Sequence, residues 1–352
     1  MPDVGAVITL YGMIESGQQK IVKLNHILDA LNINANCTNY QKIRNFSIYD
    51  LNLLPGSRIK DIQKYINEIS IYLKTKNKPL IKICSEQGLV RLELMDNDPS
   101  KILFFDEIID QKIPDYTMPM YLGDATDGQK IWMDMAENPH LLIAGTTGSG
   151  KSTLLHNIIA NSIINDNKLF LIDTKNIEFN EYGVFKNIEV ISSYEDSLEL
   201  FDYLISTMER RYDFLAKKKL PSSYFKQQKP YVPHILLVID EFADLILHDD
   251  SKELQKKITK LAQKSRAAGI HLVVATQRPS ADILNGAIKA NFPARIACKV
   301  ASHTDSKVIL DAVGAECLYG YGDAIIKNYI FNFVRFQTAF TNQSTNIEYL
   351  KK

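Results

Sequence analysis

Eight consecutive residues, Gly145-Thr-Thr-Gly-Ser-Gly-Lys151-Ser152, match the spacing GxxxxGK[ST]. The chemistry of that spacing is phosphate binding. Backbone N–H groups of a glycine-rich turn must come close to phosphate oxygens, and glycine permits both the approach and the φ values it needs. A helix opening directly after the turn points the positive end of its dipole at the same oxygens. Lys151 would span the β and γ phosphates as a point charge, and the Ser152 hydroxyl would ligate Mg²⁺. The candidate nucleotide-binding set is therefore Gly145, Thr146, Thr147, Gly148, Ser149, Gly150, Lys151, Ser152 and Thr153, with ATP and Mg²⁺ as the expected ligands.

Two further clusters complete a hydrolytic site. The apolar run HILLVID (234–240) ends in Asp240-Glu241. In this setting Asp240 would hold Mg²⁺ through water and Glu241 would polarise the attacking water as general base. A phosphotransferase does not need that glutamate, so the pair points to hydrolysis. The run HLVVAT (271–276) is followed by Gln277, whose amide can bond both the γ-phosphate and the lytic water. Paired carboxylates after a strand are often plain surface residues, and an amide there also serves turns; the glycine-rich loop in the same chain selects the catalytic reading.

Stepping between these clusters, apolar runs alternate with helix-length segments. Strands are expected at 140–145, 168–173, 234–240, 271–276 and 294–300, and helices at 151–165, 195–218 and 251–268. Continuous apolar strands separated by helices predict a parallel sheet covered on both faces, with ligands beyond the carboxyl ends of its strands. All three clusters fall there. Before residue 140 the pattern differs: strand-like runs at 6–13, 80–84 and 89–94, helices near 21–31 and 58–74, and an Asn-rich stretch from 32 to 52 that reads as an irregular loop. Residues 111–139 read as a connector with a short β element.

Composition excludes several classes. With 352 residues, 45% of them hydrophobic and 23% charged, the chain is an ordinary globular one that can hold about two domains. Cys37, Cys84, Cys298 and Cys317 form no CxxC pair, and the seven histidines show no HxxxH spacing, which argues against a disulfide framework or a zinc site. No run of 18 apolar residues and no signal peptide is visible, so a cytoplasmic location is expected. Trp132 is expected to pack rather than to stack on a base. Net charge is zero, yet residues 251–310 hold eleven Lys and Arg against three acids, a basic segment that could form a face for phosphates.

The blocks PHLLIAGTTGSGKS (139–152), FLIDTKNIEF (170–179), MERRY (208–212), LLVIDEFADLI (236–246), KSRAAGIHLVVATQRPSADILNGAIKANFPARIA (264–297) and GYGDA (320–324) resemble, in order, those of the FtsK/SpoIIIE family of DNA translocases within the FtsK and HerA group. Weaker similarity extends upstream through 5–24 and 79–94. The resemblance implies an α/β fold: a RecA-like P-loop NTPase core with a mostly parallel sheet over 139–352, preceded by a small α+β domain over 1–110 and a connector over 111–138. It further implies a homo-oligomeric ring, expected to be a hexamer, that hydrolyses ATP between subunits and pulls double-stranded DNA through its pore.

By the same resemblance Arg295 is the arginine supplied to a neighbour's γ-phosphate, with Arg266 and Arg278 as further candidates. The pore-loop positions are His303, Lys307, Lys327 and Arg335, Lys307 foremost. DTK at 173–175 stands where the family often has DPK, leaving Lys175 and Glu178 in place. The family's membrane anchor and winged-helix domain have no counterpart in the sequence, which is expected of an excised motor or a compact stand-alone translocase. The alternative is a conjugative coupling or secretion ATPase that moves single-stranded DNA or protein.

Overall fold

A computed structural model describes residues 16–75, 78–95, 113–221, 224–226, 232–248 and 252–350. The run at 6–13 lies outside them. The described residues fall into two compact units, the first holding those up to 95 with Thr126–Gly128, the second the remainder.

In the first unit, helix α1 (Gly17–Ala30) starts at a capping box: the Ser16 hydroxyl accepts from the Gln19 N–H, and Gln19 Oε1 accepts from the Ser16 N–H at 2.8 Å. Strands β1 (Ala35–Ile43) and β2 (Phe46–Leu53) pair antiparallel, and β3 (Leu80–Cys84) and β4 (Leu89–Met95) complete a sheet ordered β1-β2-β4-β3. The segment expected as one helix over 58–74 is two, α2 (Ile59–Lys64) and α3 (Ile66–Leu73), broken at Tyr65 with φ −102° and ψ 18°. Leu24, Leu28, Leu51, Ile69 and Leu92 form part of the shared core.

The Asn-rich stretch corrects the expectation of a loop, because it forms the β1–β2 hairpin. Its asparagines serve the strands. Asn36 and Thr38 face outward while Ala35 and Cys37 face the core, the period of two that a half-buried strand requires. The Asn25 side chain also bonds both the N–H and the carbonyl of Cys37, at 2.6 and 3.1 Å.

The second unit is built on a ten-stranded sheet. Its strands are β5 (Pro119–Ala125), β6 (Lys130–Asp134), β7 (His140–Ala144), β8 (Lys168–Ile172), β9 (Ile188–Ile191), β10 (Ile235–Ile239), β11 (Ile270–Thr276), β12 (Ala294–Cys298), β13 (Asp323–Lys327) and β14 (Val334–Thr338). They lie in the order β6-β5-β14-β13-β12-β7-β11-β10-β8-β9. From β12 to β9 all pairs are parallel, and from β12 to β6 all are antiparallel.

The helices are α4 (Lys151–Ile164), α5 (Tyr194–Lys218), α6 (Phe242–Leu247), α7 (Glu253–Lys264), α8 (Gly286–Asn291), α9 (His303–Leu310) and α10 (Gln343–Leu350). Among the described residues no helix is long and apolar enough to cross a membrane.

The segment expected to be a connector with a short β element supplies two strands, β5 and β6. Every residue of β5 is buried, and its irregular register around Tyr121 is covered by Asn161 of α4, which accepts from the Tyr121 N–H and donates to the Tyr121 carbonyl, at 3.0 and 3.1 Å. An asparagine side chain thus acts as a partner strand for one residue. Tyr121 and Trp132 pack across β5 and β6 with ring centroids 5.2 Å apart.

Five of the eleven basic residues of the segment pair with acids. Lys257 pairs with Asp202 and Glu253, Lys260 with Glu209, Arg266 with Glu137, and both Lys289 and Arg295 with Asp311. Charge counted along the chain is therefore not the charge of a face.

At the amino ends of three neighbouring parallel strands lie three buried histidines. His234 Nδ1 is 2.9 Å from His271 Nε2, and His140 Nδ1 accepts from the Leu272 N–H at 3.2 Å. Burial, with Arg266 nearby, holds the His140 imidazolium pKa down to about 3; burial and Arg211 hold His234 down to about 4, and burial among these neighbours pushes His271 well below its usual range. A histidine kept neutral in the fold but free to charge when unfolded contributes stability that is lost as pH falls from about 6.5 towards the folded value. Unfolding in urea at pH 5 rather than pH 7 should therefore cost about 2 kcal/mol less for each of His140 and His234. A His234→Phe variant should show a shallower loss over that window, and an unchanged slope would contradict this origin.

Candidate active site

The glycine-rich turn lies between β7 and α4, at the carboxyl edge of the sheet. Gly150 has φ 98°, and a Cβ there would stand 2.1 Å from the Gly322 nitrogen, so no other residue fits without displacing backbone. The turn is held from both flanks. Its N–H groups at Gly145 and Thr146 donate to the carbonyls of Thr276 (3.2 Å) and Lys299 (2.9 Å), while the N–H groups of Tyr321 and Gly322 donate to the carbonyls of Gly148 (3.3 Å) and Ser149 (2.9 Å).

Lys151, almost wholly buried, donates to Asp240 Oδ1 at 2.6 Å and to the Asp240 carbonyl at 2.8 Å. The ion pair ties the start of α4 to the end of β10. Glu241 is equally buried, and three donors hold it: Thr276 Oγ1 at 2.6 Å, the Gln277 N–H at 2.8 Å and the Ala243 N–H at 3.3 Å. The Gln277 side chain accepts from Thr147 Oγ1 at 2.7 Å, which links the end of β11 to the phosphate loop. The structure thus brings together Lys151, Ser152, Asp240, Glu241 and Gln277.

Glu178, beyond the end of β8, was not among the expected site residues. It accepts from Ser152 Oγ at 3.1 Å and lies 3.5 Å from His156 Nε2, one turn further along α4. His156, with the Ser152 hydroxyl, holds the Glu178 carboxyl below the usual carboxylate range. The other His156 nitrogen meets Tyr182 Oη at 3.0 Å, which also accepts from Asn346 of α10 at 2.8 Å, and burial pushes this phenol upward. The available signals were its position beyond a parallel strand and its place in the family block that follows Asp173. Cys298 packs beside Gly145, and burial pushes its thiol up to about 12, which makes it an inert core residue.

A magnesium ion fits these donors. It is satisfied by one or two protein oxygens together with phosphate and water. Ser152 donates its proton to Glu178 and so leaves oxygen lone pairs to offer, and Asp240 supplies the carboxylate.

The remaining expected residues stand apart. Arg295, near the amino end of β12, donates to the carbonyls of Phe292 (3.1 Å), Lys289 (3.0 Å) and Ile309 (3.3 Å) and pairs with Asp311 at 2.5 Å. His303 and Lys307 are exposed one turn apart on α9, and Arg278 is exposed as well. Lys327 donates to the Leu310 carbonyl at 2.6 Å. Arg335 corrects the expectation of a DNA contact: it is 2% exposed and makes a bidentate pair with fully buried Asp323, at 2.9 and 2.7 Å. Its place on β14 turns it inward, where it holds the loop that grips the glycine-rich turn.

This fold and site define a P-loop ATPase domain of the RecA-like kind. The chain belongs to the FtsK/SpoIIIE family, whose sequence profile matches residues 112–230 and 223–281. It is 33% identical over 337 residues to the DNA translocase FtsK of Chlamydia muridarum (strain MoPn / Nigg), covering 89% of this chain and 42% of that protein. It is 36% identical over 325 residues to the DNA translocase FtsK of Borreliella burgdorferi, covering 88% and 41%. The chain therefore spans about two fifths of the length of these relatives. Among solved structures, the pCW3 conjugation coupling protein TcpA, a monomer form with ATPγS, superposes with a TM-score of 0.66 at 24% identity, covering 95% of this chain and 99% of that one.

Removing one member of a buried ion pair strands the other. Arg335→Ala should lower the unfolding free energy by about 3–5 kcal/mol in urea denaturation, because Asp323 would be left charged and buried. A loss below about 1 kcal/mol, the range of a surface pair, would contradict this assignment.

Proposed function

We propose that this chain hydrolyses ATP and uses the hydrolysis to move double-stranded DNA, acting as a ring of identical copies, expected to be a hexamer. The observation that carries the hydrolytic part is Glu241, a buried carboxylate clamped by Thr276, Gln277 and Ala243 beside the Lys151–Asp240 pair. The cargo follows from family membership and from the name DNA translocase borne by the relatives.

In this reading the backbone of Gly145–Ser152 cradles the phosphates, and Lys151 turns from Asp240 to the β and γ oxygens when they arrive. Ser152 and Asp240 would hold Mg²⁺, which would supply neutralisation of phosphate charge. Glu241 takes up the proton of the attacking water, and its three donors keep the carboxylate aimed without reorganisation. Gln277, bonded through Thr147 to the phosphate loop, is placed to report the γ-phosphate to β11. Arg295 would serve a neighbouring copy's phosphate only after releasing Asp311, so its contribution is tied to assembly. His303 and Lys307 on α9 provide the exposed polar face offered to the duplex backbone, and contacts of that kind are independent of sequence and weakened by salt.

Steady-state ATP hydrolysis with no DNA, with long linear duplex and with single strands tests the reading. Duplex should stimulate hydrolysis, less so at high salt, and Lys151→Ala should abolish it. Stimulation by single strands alone, or by neither, would move the reading to a conjugative or protein-secreting ATPase. Glu241→Gln should lower kcat by about 10²–10⁴-fold while nucleotide affinity stays within a few-fold. A Glu241→Gln protein that hydrolyses at the normal rate would rule out its role as base. Lys307→Glu should raise the DNA concentration giving half-maximal stimulation and leave DNA-independent hydrolysis unchanged.

A further inference from the structure

The loop from Tyr319 to Asp323 carries an aromatic ring that no packing among the described residues explains. Gly320, Tyr321 and Gly322 have φ of 95°, 53° and 89°, three successive residues in the left-handed region, with a bulky tyrosine in the middle. Such a conformation persists only where the surroundings over-determine it, and it marks functional sites more often than plain loops. Here the surroundings are explicit. The Tyr321 N–H donates to the Gly148 carbonyl at 3.3 Å, Gln337 Nε2 donates to the Tyr321 carbonyl at 2.9 Å, and the Gly322 carbonyl accepts from the Thr338 N–H at 2.8 Å. Asp323, clamped by Arg335, accepts from the Tyr319 N–H at 2.7 Å. All this anchoring leaves Tyr321 77% exposed, with the Tyr319 ring 5.8 Å from its own.

The position of the ring relative to the phosphate loop is informative. Strand β7, from which that loop springs, stands between β11 and β12. Glu241 and Gln277 act from the β10–β11 side, so the γ end of a bound triphosphate faces them. The α-phosphate and the nucleoside then leave on the β12–β13 flank, where Tyr321 is bonded to Gly148. Accepting the P-loop reading on which this rests, we infer that Tyr321, backed by Tyr319, is the stacking platform for the nucleobase of the bound nucleotide. A flat ring fixed on a strained, rigid loop offers its face to a base at little entropic cost, and stacking of this kind is general to nucleobases.

Isothermal titration of the full chain with MgATPγS and, separately, with magnesium tripolyphosphate tests the assignment. Three proteins are compared: wild type, Tyr321→Phe and Tyr321→Gly. The phenylalanine variant should bind both as wild type does, within about twofold. The glycine variant should bind ATPγS on the order of tenfold more weakly and tripolyphosphate unchanged, since only the base has lost its partner. Its thermal midpoint should not fall, because glycine relieves the left-handed backbone. Equal loss of both ligands would make the loop a mere brace for the phosphate loop and overturn the inference, as would undiminished ATPγS binding. Unchanged ATPγS binding with loss of self-association would assign the ring to a contact between copies instead. Wild type that binds neither ligand would defeat the P-loop reading itself, and this inference with it.

Discussion

A lysine and an aspartate, both nearly out of contact with water and 2.6 Å apart, join the first turn of α4 to the residue that follows β10. Neither charge is tolerable there alone, since stranding one buried partner costs several kcal/mol. The pair therefore demands that the two elements end at the same depth of the sheet, although eighty-nine positions separate them in sequence. Strand β11, threaded between β7 and β10, is held to the same depth, and that places Thr276 and Gln277 where they bond Glu241. The carboxyl edge of the sheet is thus one connected polar assembly, every member positioned by another from a different strand.

The flanks of the glycine-rich turn divide the work. On the β11 side stand the groups suited to the terminal phosphate and to water; on the β12–β13 side a backbone bracket, locked by the Asp323–Arg335 pair, supports the turn from behind. Arg335 shows how misleading a charged residue can be when read as surface. A bidentate guanidinium–carboxylate pair is one of the few ways to bury an arginine, and here it stiffens the loop whose glycine meets Gly150.

Electrostatics elsewhere in the second unit is local. Acids from α5, from the segment before β7 and from the end of α9 neutralise much of the basic stretch around α7 and β12. At the amino edge of the sheet the polar interior is of another kind, three neutral imidazoles packed where strands begin. Around these imidazoles burial keeps the side chains uncharged, whereas the carboxyl edge buries the Lys151–Asp240 ion pair and the thrice-bonded Glu241 carboxylate.

What the sequence alone determined was whatever depends on neighbours in the chain: the phosphate loop, whose geometry needs glycines at set spacing, and the apolar strands, whose carboxyl ends locate Asp240, Glu241 and Gln277. The helices α4, α5 and α7 were legible for the same reason. Tertiary structure decided the rest. In the Asn-rich hairpin and in β5, backbone groups of Cys37 and Tyr121 find their partners in distant side chains, Asn25 and Asn161. Glu178 joined the site because the segment after β8 brings it to Ser152 and His156 of α4, and Arg335 left the surface because Asp323 of the neighbouring strand pairs with it. Local propensity and spacing are written residue by residue, whereas the partner that makes a buried polar group affordable is chosen by the fold.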